Sequence, residues 1–134
     1  MQREYINPPE LMKPIGYTHV VAARGERTLY VAGQGAFDAN WQLVGPGDLE
    51  IQATQAYSNL ILALEGAGSG PGDIVKSTIY VVGLSDEAMG VVGRGIARAL
   101  GDRKIKAPAS TIVGVERLGL AGMLIEIEAI AVPD

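Results

Sequence analysis

Two carboxylates near the end of the chain are the residues best placed to do chemistry. The run from Met123 to Val132 is apolar except for Glu126 and Glu128. In a β-strand successive side chains point to opposite faces, so these two glutamates share one face with apolar neighbours. Such a face either packs partly against another surface or lines a pocket. The other face of the strand predicts core residues, namely Met123, Ile125, Ile127, Ala129 and Ala131.

Each carboxylate has a functional and a structural interpretation. Glu126 could orient or deprotonate a water molecule, as a general base does. It could equally be held by backbone amides or hydroxyl groups at a contact between subunits. For Glu128 we favour a structural or rim-exposed role.

The composition narrows the classes of protein to consider. The chain has 134 residues, 48% hydrophobic and 19% charged, so we expect one domain spanning residues 1–134. A net charge of −4 without a basic cluster argues against a surface that binds nucleic acid or anionic membranes. With no cysteine and one histidine, His19, we expect no metal site and no cofactor. Since neither a signal-peptide pattern nor a transmembrane run is present, the cytoplasm is the expected compartment.

The hydrophobic patterns predict alternating strands and helices after an irregular, proline-broken lead-in over residues 1–16. Asp48 is a suitable N-cap for a helix over Leu49–Glu65, and Ser85 caps a second helix. The predicted strands are Tyr17–Ala23, Thr28–Ala36, Asp73–Val82 and two C-terminal strands joined by a glycine-containing turn. We therefore predict an α+β fold of order β-β-α-β-α-β-β. It is a two-layer sandwich in which one mixed sheet carries two helices on one face, with a hairpin at each end.

Glycines mark two places where the backbone geometry matters. Gly33 and Gly35 interrupt the second predicted strand and indicate a β-bulge, or a backbone left open for a ligand or another chain. The second helix contains Gly90, Gly93 and Gly95, each of which costs roughly 1 kcal/mol relative to alanine. That helix must therefore be held by packing rather than by intrinsic propensity.

The predicted sheet has apolar side chains on both faces. Ile79 and Val81 alternate with Tyr80 and Val82 along one strand. Such strands need cover on both sides, yet two helices can cover only one face of the sheet. We expect other copies of the chain to supply the second cover, which predicts a closed homo-oligomer with the two glutamates in a groove between subunits.

Several segments together carry a family likeness. They are Gly16-Tyr17, Val31-Ala-Gly-Gln34, Gln55 to Leu64, Asp73 to Val81, Pro108-Ala109 and Leu124 to Val132. Over most of its length the chain resembles the Rid/YjgF family of small trimeric proteins, which includes enamine and imine deaminases. The most specific pieces are the Asp-Ile-Val-Lys strand start and the closing Glu-Ile-Glu-Ala-Ile-Ala strand.

The resemblance implies a chorismate-mutase-like homotrimer with small-molecule clefts between its subunits. In active members an arginine binds the carboxylate of a 2-imino acid, and a glutamate positions the water that attacks the imine carbon. That glutamate corresponds to Glu126. By the same likeness Tyr17 lines the cleft, Gly33 lies beside the ligand, and the backbone amide of Ile112 helps to hold the ligand carboxylate.

One position departs from the family's active pattern. Where that pattern reads Pro-Ala-Arg-Ser, this chain reads Pro108-Ala-Ser-Thr111, so Ser110 stands at the arginine position. A neutral hydroxyl cannot replace a bidentate guanidinium, whose charge-assisted bonds contribute roughly 1.5–3 kcal/mol. We therefore expect a substrate without a carboxylate there. Ser110 and Thr111 would donate hydrogen bonds to a neutral ligand, or they are sheet residues satisfied by neighbouring backbone.

Two classes of function follow from the likeness. Either the chain is a hydrolase in which Glu126 activates water on an imine, an enamine or a related compound, or it binds a ligand or acts as a chaperone without turnover. Arg94 and Arg98 are expected on a solvated helix face, unless one of them reaches over to replace the missing arginine. RNA cleavage, also associated with the family, ranks last because the chain is acidic and has one histidine.

Overall fold

The order of elements follows the predicted alternation, with one additional strand at the start. In the computed structural model, which describes residues 3–134, the elements are β1 (Arg3–Ile6), β2 (Val20–Ala23), β3 (Leu29–Gln34), α1 (Leu49–Gly66), β4 (Ile74–Val82), α2 (Asp86–Leu100), β5 (Ala109–Val115) and β6 (Ile125–Ala131). A 3-10 turn, Pro71–Asp73, leads into β4.

Both predicted helix starts are confirmed by their caps. The Asp48 carboxylate accepts a hydrogen bond from the Ile51 amide at 3.0 Å. The Ser85 hydroxyl accepts one from the Ala88 amide at 3.1 Å. These caps satisfy amides that have no partner within the helix, so each helix begins where its capping residue stands. Within residues 3–134, neither helix combines the length and the apolarity that crossing a bilayer requires.

Four strands form a mixed sheet in the order β3-β6-β4-β5, and β1 and β2 form a separate two-stranded sheet. Strand β6 is antiparallel to both of its neighbours, whereas β4 and β5 run parallel. Both helices contribute to one hydrophobic core on one face of this sheet. The predicted α+β sandwich with a mixed sheet is therefore confirmed.

The predicted N-terminal hairpin is wrong, because β2 pairs with β1 and not with β3. Two anchors explain the difference. The Thr18 amide and hydroxyl donate to the carbonyls of Pro108 and Ala107, at 3.0 and 2.5 Å, which draws the start of this segment towards β5. The Arg3 guanidinium donates to the Val132 carbonyl at 2.8 Å and lies 3.3 Å from the Asp73 carboxylate.

The irregular lead-in expected over residues 1–16 also needs correction. Residues 3–6 form β1, which runs antiparallel to β2 from Arg3 opposite Ala23 to Ile6 opposite Val20. The prolines that argued against regular structure begin only at position 8, so they do not interrupt this strand. Residues 1 and 2 lie outside the described part of the chain.

The predicted C-terminal hairpin is wrong for a different reason. Strand β5 pairs in parallel with one edge of β4, while β6 pairs with the other edge of β4 and with β3. The chain therefore crosses from one side of β4 to the other between these two strands. This crossing makes β6, the last strand in sequence, an inner strand with two partners.

The core face of β6 is as predicted, and Gln52 of α1 joins the core unexpectedly. Ile125 and Ile127 are fully buried, and so is the polar side chain of Gln52. The Gln52 amide nitrogen donates to the carbonyls of Gly45 and Gly122, and its oxygen accepts from the Leu124 amide at 2.9 Å. Its polar groups are thus satisfied, and they fix the chain just before β6.

Candidate functional site

Glu126 lies on the face of the sheet opposite the helices. Its neighbours Ile125 and Ile127 are fully buried in the core, so its own side chain points the other way. It stands directly opposite Tyr80 of β4 in the antiparallel register. We call this side of the sheet, which also carries Thr111 and Glu128, the helix-free face.

Gly33 brings the edge strand β3 against the Glu126 side chain. A Cβ atom built on Gly33 would lie 2.5 Å from Glu126 Oε2 and 2.7 Å from Cδ, closer than real Cβ contacts. The register of β3 shifts between Val31 and Gln34, which confirms the predicted bulge. The structure thus joins two predicted site residues, and it gives a steric reason for glycine at position 33.

Tyr80 and Glu128 form the polar neighbourhood of Glu126. The Tyr80 hydroxyl donates to Glu128 Oε1 at 3.0 Å. This hydrogen bond, followed by burial and by the charges of Glu128 and Glu126, raises the pKa of Tyr80. Tyr80 was missed in the sequence because only the register of β4 against β6 places it beside the glutamates. The structural role favoured for Glu128 agrees with this contact.

Ser110 points to the opposite side of the sheet, towards the helices. It pairs in register with Ser77 of β4, and the two hydroxyl oxygens are 2.9 Å apart. Ser77 is buried, and Ile112, two residues further along β5, packs against the hydrophobic core. Ser110 and Ile112 therefore share one face, and within a single chain Glu126 belongs to the other.

Thr111 lies between these two residues in sequence and so belongs to the helix-free face. Its hydroxyl accepts a hydrogen bond from Lys76 Nζ at 3.0 Å. Thr78 of β4 pairs with Thr111 on one side and with Glu128 on the other. Thr111 is thus aligned with Glu128 rather than with Glu126.

A cavity of about 190 Å³ opens beside Ser110 on the helix side of the sheet. We call it the Ser110 cavity. It is lined by Gly16, Tyr57, Ser77, Ile79, Ile96, Leu100, Ile105, Ala107, Pro108 and Ser110. Burial raises the pKa of Tyr57 to about 12, so its phenol is neutral at pH 7.

Tyr17 is held near this cavity by its two neighbours. Gly16 lines the cavity, and the buried Thr18 is bonded to the 107–108 segment. The Tyr17 ring meets the His19 ring edge to face, with centroids 5.3 Å apart. His19 Nε2 lies 2.7 Å from the Met12 carbonyl oxygen, so this histidine serves the local structure.

Both arginines of α2 pair with a glutamate of α1 within the chain. Arg94 Nε lies 3.2 Å from one carboxylate oxygen of Glu50, and Arg98 Nη2 lies 3.3 Å from the other. Both side chains are about two-thirds exposed, at 64% and 68%. They therefore form the solvated helix face that the sequence indicated. Across residues 3–134, no cluster of three or more histidine and acidic side chains is placed to hold a metal ion.

Five of the six predicted site residues thus form two groups on opposite faces of one sheet, and the sixth, Thr111, lies on the helix-free face in line with Glu128. Glu126 and Gly33 form the first group, and Ser110 and Ile112 form the second, with Tyr17 beside it. A sheet separates the two groups within the protomer. One site can contain both groups only if they come from different copies of the chain.

Comparisons with known proteins agree with this architecture. The family model described as endoribonuclease L-PSP matches residues 10–133. A RutC family protein from Synechocystis is 33% identical over 136 residues, covering 98% of each chain. A 2-iminobutanoate/2-iminopropanoate deaminase from Escherichia coli is 39% identical over 87 residues, covering 65% of this chain and 66% of that one.

A solved structure extends the match to three dimensions. The crystal structure of a Rid-family protein of unknown function from Yersinia pestis superposes with a TM-score of 0.88 at 38% identity. The match covers 98% of this chain and 99% of that one. By its sequence matches and its fold, the chain belongs to the Rid/YjgF family.

Proposed function

We propose that the protein is a homotrimeric hydrolase that acts on the C=N bond of a small imine or enamine-type metabolite. Its substrate lacks a carboxylate where relatives would bind one, because Ser110 stands at the arginine position. The observation that carries the proposal is the placement of the Glu126 carboxylate against the bare backbone of Gly33. A glutamate held in this way can act as a general base on a water molecule beside it.

In this reaction Glu126 acts as a general base and then as a general acid. Its carboxylate accepts a proton from water while the water oxygen bonds to the imine carbon. The same proton passes to the nitrogen, which gives a neutral carbinolamine. Glu126 then accepts the carbinolamine hydroxyl proton and delivers it to the nitrogen, while the C–N bond breaks and the C=O bond forms. A carbonyl compound and ammonia or an amine are the products. Tyr80, which is neutral at pH 7, borders the site without supplying a charge.

Contacts between subunits complete the proposed site. Since Glu126 and Ser110 lie on opposite faces, Glu126 of one copy would meet Ser110 of a neighbour in each cleft. The apolar residues of the helix-free face, such as Val82 and Val113, would then pack against another copy. An acidic chain without a basic cluster favours a small neutral substrate over RNA.

The test is a coupled assay that generates 2-iminobutyrate and follows its loss. We expect slow turnover by the native protein and a gain of about 10- to 100-fold in kcat/KM for Ser110→Arg, from the restored charge-assisted contact. Adding Glu126→Gln should remove the gain, whereas the control Glu128→Gln should keep it. Fast native turnover of this anion would refute the assigned role of Ser110.

A mixing experiment tests whether the site is shared between copies. The double variant Ser110→Arg/Glu126→Gln carries the cation without the base, and the native chain carries the base without the cation. Refolding the two together should create clefts that contain both groups, so activity should exceed that of either protein alone. Light scattering should show a trimer. A monomer at micromolar concentration, or no gain on mixing, would contradict the proposal.

A further inference from the structure

We propose that the Ser110 cavity binds a neutral, ring-sized part of the ligand that carries one hydrogen-bonding group. The inference rests on the proposed function for the identity of the site, and it names the chemistry that the site selects. The cavity lies within one protomer, so its binding can be measured without turnover.

The size of the cavity sets the size of the ligand. Its volume is about 190 Å³. An apolar cavity of about 150 Å³ engineered in another protein holds one benzene molecule. The Ser110 cavity therefore accepts a ring of six atoms with a small substituent, and it is too small for a drug-sized molecule.

The walls of the cavity are mainly apolar. Ile79 comes from the sheet, Ile96 and Leu100 come from α2, and Ile105 comes from the segment that follows α2. Apolar side chains of this kind stabilise a bound ring by hydrophobic contact, which does not depend on the orientation of the ring. They predict that the buried part of the ligand is hydrocarbon.

Hydroxyl groups supply the polar end of the cavity. When Ser77 donates to Ser110 across their 2.9 Å contact, the Ser110 proton remains free to donate to a ligand. The nearly buried Tyr57 also lines the cavity and contributes a phenol hydroxyl to its wall. A hydroxyl, an amide or a neutral imine nitrogen on the ligand would satisfy these groups.

The lining contains no group that would neutralise an anion. All ten residues that line the cavity are uncharged at pH 7. The guanidinium groups of Arg94 and Arg98 on α2 are paired with Glu50. Moving a carboxylate from water to such a site is costly, so the cavity should select against anions of equal size.

The test uses phenol as the neutral probe and benzoate as its anionic counterpart. Amide chemical shifts of the native protein are followed as each compound is added. We expect phenol to shift the amides of Ser77, Ile96 and Ser110 with a dissociation constant on the order of 1 mM. Benzoate should bind at least about 10-fold more weakly.

Variants locate the binding. Ile96→Trp should fill the cavity and abolish phenol binding, whereas Ala97→Trp, at the exposed neighbouring position of α2, should leave it unchanged. Ser110→Ala should weaken phenol binding about 2- to 10-fold through the loss of one hydrogen bond. Ser110→Arg should reverse the preference in favour of benzoate.

The outcomes separate this inference from the proposed function. It is overturned if phenol fails to bind at about 10 mM, if Ile96→Trp and Ser110→Ala both bind it like the native protein, or if benzoate binds equally well. If phenol binds here but no C=N compound is turned over, the proposed function fails alone. If a neutral imine is hydrolysed while phenol avoids the cavity, only this inference fails.

Discussion

Two glycines of α2 offer a direct test of how that helix is held in place. A Cβ atom at Gly95 would lie 2.6 Å from the Ala53 Cβ and 2.9 Å from the Glu50 carbonyl oxygen, both in α1. At Gly93, two residues earlier, such a Cβ would meet no other part of residues 3–134 within 4 Å beyond its chain neighbours and the backbone of its own helix. We therefore compare Gly95→Ala with Gly93→Ala as a matched pair in one helix.

The two substitutions have the same intrinsic gain and different packing costs. Alanine in place of glycine favours a helix by about 1 kcal/mol, so Gly93→Ala should raise the free energy of unfolding by about 0.5–1 kcal/mol. At Gly95 the new methyl group meets backbone, and overpacking of this kind costs about 1–3 kcal/mol. Separating the helices also weakens the 2.9 Å bond from the Thr54 hydroxyl to the Gly95 carbonyl, at about 1 kcal/mol. Gly95→Ala should therefore lower the free energy of unfolding by about 1–3 kcal/mol.

The measurement is urea unfolding followed by circular dichroism. All three proteins are compared at the same protomer concentration, since the stability of an oligomer depends on it. The expected order of midpoints is Gly93→Ala, then native, then Gly95→Ala. If Gly95→Ala were as stable as Gly93→Ala, the close approach of the helices would not be what holds α2, and the reasoning would be refuted.

Two further predictions concern the pH dependence of the free energy of unfolding and the position of the Glu126 side chain. Burial raises the pKa of Tyr57 from 10.0 to about 12, so the unfolded chain loses this proton first as the pH rises. The free energy of unfolding should fall by up to about 3 kcal/mol between pH 10 and 12. Urea unfolding of Tyr57→Phe at the same pH values should not show the part of this fall that is due to Tyr57. Gly33→Ala should displace the Glu126 carboxylate by about 1 Å and lower kcat/KM of the Ser110→Arg variant for 2-iminobutyrate about 100-fold. Its unfolding midpoint should stay near that of the parent, and an unchanged kcat/KM would show that Gly33 does not position Glu126.

Features that depend on nearby residues could be predicted from the sequence. The caps at Asp48 and Ser85 act within one helical turn, so the helix starts could be predicted from the local sequence alone. The alternation along β6 likewise separated the core residues from Glu126, because a strand places its side chains with period two. The bulge at Gly33 followed from the glycines themselves.

Features that depend on pairing between distant segments could not be predicted in this way. The sequence gives no register for β4 against its neighbours, so it could not show that Ser110 and Glu126 lie on opposite faces. The hairpins were favoured because consecutive strands often pair, yet Thr18 and Arg3 hold β2 elsewhere. The burial of Gln52 could not be predicted, because the backbone groups of Gly122 and Leu124 that bond its amide are distant in sequence.

The inner position of β6 has a consequence for how the protein is made. Residues 125–131 leave the ribosome after all other strands, yet β3 and β4 meet only through them. Until β6 inserts, the growing chain can pair β4 with β5 but cannot join β3 to the sheet. The main sheet can therefore be completed only once residues 125–131 have been made, and chains cut short before β6 would expose open strand edges. The same strand carries Glu126, so only a completely folded chain presents the carboxylate to a substrate.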